Sequence, residues 1–278
     1  MKILITGGQG QLGIELKNLL EDENEVYAWD IDQLDITQGK ETIEKVVDLN
    51  PDIIIHSAAY TDVDGCEENV DLAYQVNAYG TRNIAVACQK CDAKMVYVST
   101  DFIFDGKKDE HYIEFDQTNP INVYGKSKLA GEKFVKNLVD KFFIVRTAWL
   151  YGENSGNFVK TMLELAEERD LLTVVNDQVG SPTYVKDLAE VIRKLINTDL
   201  YGTYHASNTG ECSWYQFAKK IFKYTNTQIK VEPVTSEEFA RPATRPTYSV
   251  MNNYSLEQNL GYKMKNWKDA LKDYLNKQ

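Results

Sequence analysis

Tyr124 and Lys128 stand four residues apart in Tyr124-Gly125-Lys126-Ser127-Lys128. If the segment is helical, a phenol and an ammonium project from one face while Lys126 points elsewhere. A free tyrosine titrates near 10. A neighbouring ammonium stabilises phenolate, lowers that value and makes the phenol a better proton donor near neutral pH. Upstream, Ser99-Thr100-Asp101 follows the apolar run Met95-Val96-Tyr97-Val98, and Thr100 offers a hydroxyl to a substrate carbonyl. These groups suit a reaction in which a proton moves while a hydride moves, on a carbonyl or an alcohol. Y-x-x-x-K also occurs by chance in helices, so the reading needs a source of hydride.

A second motif supplies one. Gly7-Gly8-Gln9-Gly10-Gln11-Leu12-Gly13 follows the apolar run Ile3-Leu4-Ile5 and precedes Leu12, Leu16, Leu19 and Leu20, which repeat at helical period. Glycines let backbone approach a pyrophosphate closely, and a helix N-terminus presents free N–H groups and partial positive charge to it. The spacing is G-x-x-G-x-x-G, a variant of the simplest dinucleotide fingerprint. Val26-Tyr27-Ala28-Trp29 then ends in Asp30, an acidic side chain placed to accept bonds from an adenosine ribose. Its charge opposes a 2′-phosphate, which favours NADH slightly over NADPH as the cofactor.

The elements around these motifs alternate. Strand candidates are Val26–Asp30, Ile53–Ile55, Met95–Val98 and Phe142–Val145. Between them lie helical patterns over Lys40–Leu49, one long stretch over Glu67–Lys90, and a helix starting near Asn122. Short continuous apolar runs are what buried parallel strands require. The pattern predicts an α/β fold, a doubly wound parallel sheet of Rossmann type. Residues 1–150 are mainly the NAD(P)-binding part. Residues 151–278 are mainly a smaller C-terminal substrate-binding lobe, with some segments returning to the core. Two polar loops mark that lobe: Asn176–Thr183, and Arg241-Pro242-Ala243-Thr244-Arg245-Pro246, whose arginines either clamp phosphate or are simply solvated.

Composition narrows the partners. The net charge of −11 argues against nucleic acid, and the chain offers no membrane span or signal segment. Four scattered cysteines suggest a reducing cytoplasm rather than a disulfide framework. Cys88-Gln89-Lys90-Cys91 ends a helical stretch, lacks a second pair, and reads as structural.

These features resemble the extended short-chain dehydrogenase/reductase family over nearly the whole length. Within it, four segments are similar to those of dTDP-4-dehydrorhamnose reductases: Ala58–Asp64, Ser99–Gly106, Arg146–Gly152 and Asp177–Thr183. The resemblance implies reduction of the C4 ketone of dTDP-4-dehydro-L-rhamnose to dTDP-L-rhamnose. By motif, Tyr124 donates the proton, with Lys128 supporting it and Thr100 completing the catalytic set. Thr100, Asp101 and Trp149 contact the sugar. Gly7, Gly10, Gln11 and Leu12 hold the pyrophosphate and Asp30 the ribose. Asp35 and Ile36 flank adenine, while Ala59, Tyr60 and Thr61 line the nicotinamide side. Related dehydratases carry a glutamate after the Thr-Asp pair. Here that position is Phe102, which cannot exchange protons, so elimination of water is disfavoured.

Assembly is expected to be monomeric or homodimeric, without a bridging metal. Glu15 matches one glutamate of the family's intersubunit magnesium site, but Tyr184-Val185-Lys186-Asp187 puts lysine where a second is expected. Two other functions remain: another nucleotide-sugar 4-reductase or epimerase, and a non-catalytic NAD(P)-binding regulatory subunit. The phenol, ammonium and hydroxyl set argues against the last, since a pure binder has no need of it.

Overall fold

Ile3-Leu4-Ile5 and Ile53-Ile54-Ile55 are buried to 1% exposure or less. Strand geometry sends alternate side chains to opposite faces. Ile3, Ile5, Ile53 and Ile55 therefore join one hydrophobic cluster, and Leu4 and Ile54 join another. Only a sheet covered on both sides accommodates such runs. The computed structural model, which describes residues 1–277, has that arrangement.

Six parallel strands form the central sheet: β1 (Lys2–Thr6), β2 (Glu25–Trp29), β3 (Ile53–His56), β4 (Lys94–Thr100), β5 (Phe142–Thr147) and β6 (Gly202–His205). Their spatial order is β6-β5-β4-β3-β1-β2. The chain leaves β1 for β2 on one side, then returns to place β3 on the other, in register Thr6 to His56. In open α/β sheets a ligand crevice opens at the carboxyl ends of strands flanking such a reversal.

The expected long helix is broken into Val63–Glu68, Val70–Tyr74, a π-helical turn over Gln75–Gly80, and Thr81–Cys91. Asp62 starts the first piece by accepting from the Gly65 N–H at 3.0 Å. The widened turn carries buried Asn77, whose Oδ1 accepts from the Tyr60 N–H while its Nδ2 donates to the Tyr60 carbonyl. Wide turns of this kind recur beside functional sites. A hydrophobic pattern alone does not encode the break, because the apolar spacing continues through it.

Residues after 150 contribute to both parts of the molecule. β6 extends the central sheet beside β5, and helix Val185–Ile196 packs on helix Gln11–Leu20. Short ribbons build the remainder. Leu150–Tyr151 pairs with Thr183–Tyr184, Val179–Gly180 with Cys212–Ser213, and Leu171–Val175 with Lys230–Val234. One apolar cluster runs through both parts, from Leu16 to Leu188, Phe217 and Trp267. Among the described residues no helix is long and apolar enough to cross a membrane. Cys88 and Cys91 make no disulfide; burial pushes the Cys88 thiol up to about 12, which suits a packed side chain.

Candidate active site

The glycine turn is shaped by close approach. Gly7 adopts φ +69, and a Cβ there would lie 2.9 Å from the Ala58 backbone. A Cβ on Gly13 would lie 2.2 Å from the Gly7 carbonyl oxygen. Gly10 begins helix Gln11–Leu20 with no side chain to cap it, so N–H groups of the first turn are available to a ligand. Gln9 N–H donates to Asp30 Oδ2 at 2.8 Å, tying the turn to the end of β2.

These residues border a cleft of about 970 Å³ at the carboxyl ends of the sheet strands. Gly7, Gly10, Gln11, Leu12 and Asp30 line it with Asp35 and Ile36 at one end. Ala59, Thr61, Thr100, Asp101, Tyr124, Lys128 and Trp149 complete the wall. Tyr60 is the exception. Its side chain is not part of the lining but lies against Gly65, where a Cβ would sit 2.3 Å from the phenol oxygen. Asp35 is held by its own turn, accepting from the Thr37 hydroxyl and N–H, and these bonds keep its carboxyl below the usual range. The cleft's volume, its glycine cradle and the exposed helix start fit a dinucleotide.

Helix Val123–Leu138 places the catalytic candidates. Asn122 caps it, accepting from the Gly125 N–H at 2.8 Å, and ties it to the late loop by donating to the Thr244 carbonyl. Tyr124 and Lys128 follow on the face toward β4, and Lys126 is exposed. The phenylalanine ring of Phe102 meets Tyr124 edge-on, with centroids 5.6 Å apart.

The electrostatics differ from the sequence expectation. Burial raises the Tyr124 phenol above its ordinary value, opposed by the neighbouring Thr100 hydroxyl, and the Lys128 ammonium does not offset it. The reason is the ammonium's position. Lys128 Nζ donates to the Val98 carbonyl at 2.7 Å and lies 4.3 Å over the Tyr97 ring. Burial drives its own value down to about 7, against which Glu132, one helical turn on, favours the charged form. Desolvation thus outweighs charge pairing at both groups.

Thr100 is shared. Its hydroxyl donates to Asp101 Oδ1 at 3.1 Å and accepts from the Phe102 N–H. Asp101 is 2% exposed; burial pushes it up to about 6, although Ser249 donates to its Oδ2 at 2.6 Å. Beneath this lies a buried pair: Arg146 Nε and Nη2 donate to the two Glu132 oxygens at 2.9 and 2.8 Å, and Ser99 donates at 2.7 Å.

The two loop arginines turn to one carboxylate, Arg245 largely covered and Arg241 still exposed. Arg245 makes a bidentate pair with Asp64 at 3.0 and 2.9 Å, and Arg241 Nε approaches Asp64 at 3.2 Å. The late loop is thereby bolted to the segment after β3 that lines the cleft. Ser249 and Trp214, which border the small pocket beside Asp101, and Asn77 and Asp64, which hold segments of the cleft wall in place, are residues that sequence reasoning missed. Only Asp64 lay within a segment singled out for resemblance.

The family model for the RmlD substrate binding domain matches residues 1–278. The dTDP-4-dehydrorhamnose reductase of Aggregatibacter actinomycetemcomitans is 42% identical over 98% of this chain and 97% of its own. The chain belongs to the dTDP-4-dehydrorhamnose reductase family. Also similar is the spore coat polysaccharide biosynthesis protein SpsK of Bacillus subtilis (strain 168), 41% identical over 99% of this chain and 96% of its own. Among solved structures, the Bacillus anthracis dTDP-4-dehydrorhamnose reductase in complex with NADP superposes with TM-score 0.98 at 51% identity, covering 100% of both chains. The Thermus thermophilus UDP-glucose 4-epimerase, solved with NAD, has TM-score 0.85 at 20% identity and shows the shared fold alone. Membership of the reductase family accords with a phenylalanine, Phe102, where a dehydratase would need an exchangeable proton.

Proposed function

We propose that this chain catalyses NAD(P)H-dependent reduction of the C4 ketone of dTDP-4-dehydro-L-rhamnose to dTDP-L-rhamnose, with Tyr124 as proton donor. The observation that carries the reading is convergence. The glycine cradle and the Tyr124, Thr100 and Asp101 group open onto the same cleft. Bound NAD(P)H supplies the hydride. Gly7, Gly10, Gln11 and Leu12 hold its pyrophosphate, Asp30 the adenosine ribose, and Asp35 and Ile36 the adenine. Ala59 and Thr61 face the nicotinamide, with Tyr60 between them held back by Asn77, and Lys128 bonds the adjoining ribose. On substrate binding the Thr100 hydroxyl turns from Asp101 Oδ1 to the C4 oxygen, beside that of Tyr124, and Tyr124 gives this oxygen a proton as the carbon is reduced. Solvent then restores the phenol. Asp101 and Trp149 orient the sugar.

Residues 1–150 mainly serve the cofactor and residues 151–278 mainly the substrate. Asp30 favours NADH slightly, whereas the Bacillus anthracis relative was solved with NADP. The assembly is a monomer or homodimer in the cytoplasm, with no metal bridge at Glu15. Lys186 approaches Glu153 Oε1 at 2.7 Å and its charge also acts on Glu15, so an ammonium already occupies that acidic neighbourhood.

The test follows nicotinamide absorbance with NADH or NADPH and enzymatically generated dTDP-4-dehydro-L-rhamnose. Substrate-dependent oxidation with dTDP-L-rhamnose recovered by chromatography is expected. Tight NAD(P)H binding without oxidation would overturn the assignment.

A further inference from the structure

Trp149 follows the end of β5 with φ +49. A bulky side chain in the left-handed region is a true backbone outlier, and it persists only where its surroundings over-determine it. Those surroundings are specific. Trp214 lies parallel to Trp149 with ring centroids 3.4 Å apart and planes 5° from coplanar. Phe158 packs on Trp214 in turn, with centroids 4.6 Å apart. Gly180 makes room for the Trp149 indole: a Cβ there would lie 2.6–2.8 Å from its Cε2, Cζ2 and Nε1 atoms.

Gly180 and Trp214 are positioned together. Ribbon strands Val179–Gly180 and Cys212–Ser213 pair Gly180 with Cys212 and Val179 with Ser213. Ser213 caps helix Trp214–Thr225 in a reciprocal box with Gln216, at 3.1 and 3.0 Å. It also donates to Asn176 Oδ1 at 2.7 Å. A capped helix start has little freedom, so Trp214 is presented in one orientation. Both indoles then border a small pocket of about 40 Å³ with Asp101, Phe102, Arg245 and Ser249. Trp149 also lines the large cleft, as do Asp101 and Phe102, so the indole is part of the wall between the two spaces.

We propose that Trp214 is a positioning residue for binding of the sugar nucleotide: by stacking on Trp149 it holds that indole in its left-handed conformation and fixes the width of the pocket beside Asp101 and Phe102. The proposal rests on the reading of this cleft as a sugar-nucleotide reductase. An indole face packs on the C–H face of a pyranose ring, and a rigid wall discriminates by shape where a mobile one adapts. Trp214 acts through Trp149, and its loss frees the wall without touching the glycine cradle.

The experiment compares Trp214→Ala and Trp214→Phe with wild type. It measures KM and kcat for dTDP-4-dehydro-L-rhamnose, NAD(P)H affinity by nicotinamide fluorescence, and the unfolding temperature. Trp214→Ala is expected to raise KM by about tenfold, the order that loss of an aromatic pair supports. NAD(P)H affinity should stay within about twofold, because the helix start and glycine turn are untouched. Trp214→Phe, which keeps a stacking ring, should recover most of the loss. An unchanged KM in Trp214→Ala overturns the proposal, as does an equal loss of NAD(P)H affinity, which would mark general loosening. Failure of the wild type to turn over the substrate overturns the functional reading itself.

Discussion

Replacing Glu132 by glutamine tests how the floor of the site is held. Glu132 is 0% and Arg146 2% exposed, and the two are joined by paired hydrogen bonds at 2.9 and 2.8 Å. Glu132→Gln keeps the volume but leaves the guanidinium charge uncompensated in a dry site. Removing one partner of such a pair costs about 3–5 kcal/mol. For a chain of 278 residues, the unfolding entropy is about 0.6 kcal/mol/K, so the unfolding temperature should fall by about 5–9 °C. Lys17–Glu21 is the control: its 4.0 Å pair is about half exposed, and Glu21→Gln should cost less than about 0.5 kcal/mol.

Acid sharpens the test. Burial alone would raise the Glu132 carboxyl, but the Arg146 bonds and charge outweigh it and hold the value below the ordinary one. A depressed carboxyl contributes stability that is present above its unfolded value near 4.3 and is lost as pH falls through the folded value. The deficit of Glu132→Gln against wild type should therefore be complete at neutral pH and shrink below about pH 4. Calorimetry across pH measures both. Replacing both partners by apolar side chains, Glu132→Leu with Arg146→Met, should restore most of the loss. A single variant that melts within about 1 °C of wild type, or a double variant no more stable than the single, would refute the buried-pair argument.

Tyr124→Phe should lower turnover by about 10²–10⁴-fold with NAD(P)H affinity nearly unchanged; full activity would remove the phenol from the reaction. Because Lys128 is held down to about 7 by burial, its ammonium is lost as pH rises through that value. The kcat/KM for NAD(P)H should therefore fall on the alkaline side of about 7, and a flat profile would show that the charge is not needed. Asp30→Ala should weaken NADH more than NADPH in titrations, and equal losses would sink the ribose assignment.

What was legible in the sequence is what short-range geometry controls. Ile3–Ile5 and Ile53–Ile55 announce buried strands because side-chain alternation is a local rule. Gly7 and Gly13 announce a cradle because only glycine tolerates those approaches. Tyr124 and Lys128 share a face because helical pitch puts them there. The family resemblance added the roles of Thr100, Asp101 and Trp149, whose side chains do border one cleft.

The tertiary structure decided the rest, because those partners are far apart in the chain. Asp101 meets Ser249 across 148 residues, and Asp64 meets Arg245 across 181. No local pattern marks either pairing. The burial of Lys128 and Tyr124 is not legible from their spacing, since sequence distance reports neighbours but not desolvation. The break at Asn77 and the stacking of Trp214 on Trp149 likewise arise only when separate segments compete for the same space. Composition and periodicity select the sheet and its cradle; packing sets the fields and walls inside the cleft.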